Sequence, residues 1–135
     1  MLERVAFEYA VIRIVPRVER GEYLNAGVIL ICRRHRFLDA RTALDQVRLR
    51  ALAPYLDEET VTLIGRQLDL ICRICSGSPD AGPIGQLTQR ERWHWLAAPA
   101  STIVQPGPVH SGLCTDPAAT LDHLYVDLVQ VSAET

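Results

Sequence analysis

One arginine and a few polar residues stand where this sequence would more easily carry apolar ones. In the run from Val5 to Val15, the odd positions Val5, Phe7, Tyr9, Val11, Arg13 and Val15 share one face of an extended chain. Arg13 therefore has apolar neighbours, and a guanidinium in that setting must be paired or must reach a ligand. Glu22 and Asn25 return on the next apolar run and are its nearest partners in sequence. One reading is an internal Arg13–Glu22 pair that staples a hairpin. The other is a forked clamp for a carboxylate or phosphate, because arginine presents planar paired donors. In that second reading Arg13 and Asn25 bind the ligand. Glu22 then orients Arg13 or serves as an acid–base group.

Ser101, Thr102 and His110 form a second set of candidates. A hydroxyl with a histidine is the pairing of a nucleophile with its base. No G-x-S-x-G elbow and no third member accompany them. His110 lies in P-G-P-V-H-S-G-L-C, and a histidine framed by Pro and Gly is well placed to line a cleft. Together with Arg13, Glu22 and Asn25 these residues would form a buried polar cluster, if the two regions meet.

The four cysteines point elsewhere. Cys72 and Cys75 form a C-x-x-C, with Cys32 and Cys114 isolated. The pair falls at the C-terminal end of a helix, where the dipole disfavours a thiolate, so core packing is expected. Zinc would need two further ligands that the scattered histidines do not offer. No metal and no cofactor are expected.

The elements that must position these groups follow from pattern. Residues 4–15 are apolar on both faces and predict a central strand, ended by Pro16. Arg17 to Gly21 is a turn, and residues 22–33 return as the second strand of a hairpin. Gly27 within that strand marks a bulge or a close backbone approach. Phe37 to Ala40 predicts a short third strand. Thr42 is a plausible N-cap for a helix that stops before Pro54. Asp57 caps the longest helix, whose apolar face is Val61, Ile64, Leu68, Ile71 and Cys75, and Gly77 ends it. Residues 76–87 read as a loop. Thr88 and Glu91 form a capping box that opens a helix through Trp95 and Leu96. Ser101 to Gln105 predicts a short strand, and the Pro- and Gly-rich stretch after it reads as irregular. Asp116 and Pro117 open the last helix, with Leu121, Leu124, Tyr125, Leu128 and Val129 on its apolar face. Strands first, helices later and one late strand returning give an α+β fold: a small, mainly antiparallel sheet packed by about four helices.

The bulk properties bound the function. The chain has 135 residues, enough for a single domain spanning 1–135. A net charge of −2 makes nucleic acid an improbable partner. Arg33, Arg34, His35 and Arg36 read as a solvated turn. Arg90, Arg92, Trp93, His94 and Trp95 combine charge with stacking surface, but helical spacing puts half of them in the core. No apolar run reaches the roughly 18 residues of a membrane span, and the N-terminus lacks the pattern of a signal peptide. A cytoplasmic location is expected. Self-association stays open.

The motif Tyr9-x3-Arg13-x2-Pro16, followed by Gly21-Glu22-x2-Asn25-x-Gly27-Val28, resembles the opening signature of a bacterial domain-of-unknown-function family, number three thousand and thirty-seven. The later segment R-W-H-W-L-A-A-P-A-S-T-I-V-Q-P-G-P-V-H-S-G resembles that family's second block. The resemblance carries over Tyr9, Arg13, Glu22, Asn25, Gly27, Arg92, Ser101, Thr102, His110 and Gly112. It adds Arg92 to Arg13 and Asn25 as a ligand-binding candidate. It also implies a gene neighbourhood with HipA-like serine/threonine kinases. The function expected on this basis is a partner or regulatory subunit of such a kinase. The alternatives are a small enzyme with an Arg13/His110 anion site, and a nucleic-acid-binding module.

Overall fold

A computed structural model describes residues 3–131. Strand β1 (Val5–Ile14) lies inside a four-stranded antiparallel sheet of order β3-β2-β1-β4, with β2 spanning Leu24–Cys32, β3 Phe37–Thr42 and β4 Val104–Cys114. The central position follows from β1 being apolar on both faces. On one face Ala10, Ile12 and Ile14 join Leu24, Ala26, Ile29, Ile31 and Val104. Helices α1 (Gln46–Leu52), α2 (Glu58–Ser76), the single turn α3 (Gly82–Gly85) and α4 (Gln89–Ala97) cover that face with Leu49, Val61, Ile64, Leu68, Trp93 and Leu96. On the other face Val5, Phe7, Val28, Leu30, Cys32 and Cys114 meet Leu121 and Val129 of α5 (Pro117–Leu128) and its C-terminal end. α5 packs on β2 and β3. The outer half of this face, over β1 and β4, is more open: Val11 and Arg13 are half-buried and His110 is exposed.

The α+β reading holds, with five α-helices among the described residues rather than about four, because α3 forms within the segment that composition marks as loop. Two expectations are corrected. The stretch P-G-P-V-H-S-G-L-C is not irregular but forms most of β4, an eleven-residue strand. An edge strand needs only half of its amides for pairing, so prolines are tolerated there. A bulge between Ala10↔Val109 and Ile12↔Pro106 absorbs the extra residue at Gly107 and Pro108. Thr42 does not cap α1, because it belongs to β3; Asp45 does so, its side chain accepting from the Arg48 amide. The other caps are as anticipated: Asp57 on α2, the Thr88–Glu91 capping box on α4, Asp116 on α5, and Gly77 at a φ of 69° ending α2.

Gly27 shows why the hairpin needs glycine at that point. The β1–β2 register shifts between Ile12↔Gly27 and Arg13↔Asn25, leaving Ala26 as the extra residue. A Cβ on Gly27 would lie 2.7 Å from the Arg41 carbonyl oxygen and 2.9 Å from Ile12 Cδ1 and Thr42 Cγ2. The first of these is backbone of the neighbouring strand and cannot swing aside. Gly27→Ala is expected to lower the unfolding free energy by about 2 kcal/mol or more, read from the urea midpoint. An unchanged midpoint would show that β3 can move away from β2.

Candidate anion-binding site

Arg13 projects from β1 on the same face as Phe7 and Tyr9, opposite Asn25 of β2 and Gln105 of β4. Its guanidinium carbon sits 4.2 Å from the centre of the Tyr23 ring, a cation–π contact. Its other boundary is the β4 bulge. A Cβ on Gly107 would lie 2.9 Å from Arg13 Cζ and 3.0 Å from Nε, so the guanidinium rests against bare backbone. This contact exists because the residue between Pro106 and Pro108 has no side chain. Arg13 Nε is enclosed and has no hydrogen-bond partner among the described residues.

Glu22 does not supply one, so the Arg13–Glu22 staple is corrected. Glu22 is exposed and accepts from Arg20 Nε at 2.7 Å. Arg20 is two residues away on the same turn, whereas Arg13 lies across the hairpin, and Glu22 pairs locally. That hydrogen bond, with the charge of Arg20, holds the Glu22 carboxyl below the usual carboxylate range. Among the described residues no carboxylate forms an ion pair with Arg13. Arg73 is the instructive contrast. Its Nε is also enclosed and unpartnered, yet its Nη2 reaches Asp69 at 3.2 Å.

The remaining candidates are distributed around this point. Asn25 Nδ2 donates to the Leu128 carbonyl at 3.0 Å and ties the β2 bulge to the end of α5. His110 pairs with Tyr9, their ring centres 5.2 Å apart, and Tyr9 in turn stacks on Phe7 at 6.1 Å. His110 therefore shares the open face with Arg13. The four residues from Tyr9 to Arg13 place it roughly 13 Å along the strand. Ser101 and Thr102 precede β4, and the Thr102 hydroxyl donates to the Val104 carbonyl at 2.8 Å. From Val104 to His110 the strand extends roughly 20 Å, too far for a hydroxyl–imidazole hydrogen bond. The two sequence blocks do meet, since Arg13 pairs with Gln105, but the buried polar cluster does not form: Ser101, Glu22 and His110 are exposed.

Arg92 lies on the helical side of the sheet. Its Nη1 donates to the Ile74 and Cys75 carbonyls at 2.7 and 2.6 Å, and its Nε to the Leu87 carbonyl at 3.1 Å. It closes the C-terminal end of α2, where carbonyls have no helical partner. Trp93 is core, whereas Trp95 is half-exposed at the rim of an apolar cleft of about 400 Å³ between α2, α4 and β4. Cys75 is buried and Cys72 half-buried, and burial pushes both thiols up. The basic turn is solvated: Arg34 pairs with Glu3 at 2.8 Å, and Arg33 stands 3.8 Å from Glu8.

Two members of the Arg13 site escape sequence reasoning. Tyr23 directly precedes a strand whose alternation places it on the Arg13 face. Gly107 sits between two prolines, a pattern that signals irregular chain before it signals a cradle.

Arg92→Ala is expected to lower the unfolding free energy by about 2 kcal/mol, since three carbonyls lose a charged donor. Urea denaturation measures this. An unchanged midpoint would mean that the end of α2 does not depend on Arg92.

Residues 9–129 match the family described as protein of unknown function (DUF3037). No curated protein and no solved structure matches the chain. The matched segment runs from Tyr9 on β1 through the Arg13 site, the helices and β4 to Val129 after α5, and this chain belongs to the DUF3037 family.

Proposed function

We propose that this protein is a binding module that docks an anionic group of a partner at Arg13, on the open half of the sheet. One observation carries the reading: a half-buried guanidinium stacked on Tyr23 and Gly107 has an enclosed Nε and no carboxylate among the described residues. An arginine that served only the fold would be expected to have its donors satisfied from within. The partner class implied by the family resemblance is a HipA-like kinase, with this chain as its partner or regulatory subunit.

A second reading has a specific observation behind it. His110 lies on the same open face, within the reach of one ligand anchored at Arg13. In that reading Arg13 anchors an anion and His110 transfers a proton.

The partnership is tested by titrating a HipA-like kinase from the same genome with wild-type protein and with Arg13→Ala, with and without nucleotide. Wild type is expected to bind, and Arg13→Ala to weaken the complex at least tenfold, about 1.4 kcal/mol. No complex in either condition would refute the kinase partnership. An unchanged affinity in the variant would remove Arg13 from the interface.

A further inference from the structure

We infer that the group received by Arg13 is a carboxylate, held end-on by the two terminal guanidinium nitrogens. The inference rests on the binding-module reading above and narrows its ligand. Orientation comes first. Nε is enclosed between the Tyr23 ring and the Gly107 backbone, so a ligand cannot use the lateral edge of the fork. Nη1 and Nη2 are not among the buried unpartnered atoms, and their paired planar donors match the two oxygens of a carboxylate.

Charge narrows the class. Arg13 brings one positive charge, and the groups set around it, Tyr23, Asn25, Gln105 and Gly107, are neutral. The neighbouring cations of the hairpin turn are committed elsewhere: Arg17 Nε pairs with Glu19 and Arg20 Nε with Glu22, both at 2.7 Å. A carboxylate is matched by one guanidinium. A phosphate monoester carries about −1.5 to −2 and would keep an unmatched charge beside a half-buried site.

Donor supply points the same way. Asn25 Nδ2 donates to Leu128, and Gln105 Nε2 donates to the Thr102 carbonyl at 2.6 Å. Each of the neutral amides beside Arg13 thus has one of its two N–H donors committed, and a small anion with two acceptors suits the paired guanidinium donors. The carboxylate has two sources, an aspartate or glutamate side chain and the C-terminus of a chain.

The test is an NMR titration that follows the Arg13 Nε–H resonance at constant ionic strength. The probes are acetate, inorganic phosphate, an end-capped glutamate peptide, and an alanine peptide free only at its C-terminus. Acetate is expected to give a saturable shift, with phosphate at least threefold weaker. Whichever peptide binds tighter names the source. Arg13→Gln should abolish the shift pattern elsewhere in the site, and Gly107→Ala, which forces the guanidinium off the bulge, should weaken acetate binding at least threefold. Arg13-dependent binding of phosphate in preference to acetate would overturn the carboxylate assignment and leave the binding-module reading standing. No Arg13-dependent shift with any probe would overturn both.

Discussion

A ten-residue strand with apolar side chains on both faces has to be covered twice, and that requirement on β1 organises the molecule. Hairpin pairing with β2 satisfies one edge. The other edge is filled by β4, recruited from about ninety residues further along the chain. The helices between them cover one face with a continuous apolar layer. The short α5 lies mainly over β2 and β3 on the other. The half-face left open is where β1 carries Arg13 instead of an aliphatic residue.

Local construction explains how that arginine is held. Two bulges, at Ala26 beside Gly27 on one side of β1 and at Gly107 and Pro108 on the other, flank the same short stretch of the strand. The first lets β3 approach closely. The second offers bare backbone to a guanidinium whose opposite boundary is Tyr23. Enclosing Nε without a partner costs roughly 1–3 kcal/mol of lost solvation. The cation–π contact offsets roughly 0.5–1 kcal/mol of it. The fold does not recover this cost, and it leaves the guanidinium charge at Nη1 and Nη2 to be matched by an external group.

Much of this was legible in the sequence. Alternation identified the central strand and placed Arg13 among apolar neighbours. Gly27 announced a close approach, and Asp57, Thr88 and Asp116 announced their helices. What composition hid was β4, because Pro and Gly lower strand propensity without excluding an edge strand. The partner of Glu22 was hidden by competition. Sequence proximity favoured a pair across the hairpin, but Arg20 on the same turn was closer still. Tyr23 and Gly107 became visible only once the register was known, since neither type by itself signals a cation site. Arg92 read as a ligand-binding candidate with aromatic company, and its role at the end of α2 depended on packing between two helices.

Whether Arg13 serves the fold or a ligand is decided most directly by replacing it with methionine and measuring the unfolding free energy in the absence of ligand. An arginine with no hydrogen-bond or ion-pair partner among the described residues contributes mainly its aliphatic stem and a modest cation–π contact, and methionine retains the stem. The account predicts that Arg13→Met is as stable as wild type or more so. A loss of more than about 2 kcal/mol, the scale of breaking a satisfied charged interaction, would contradict it.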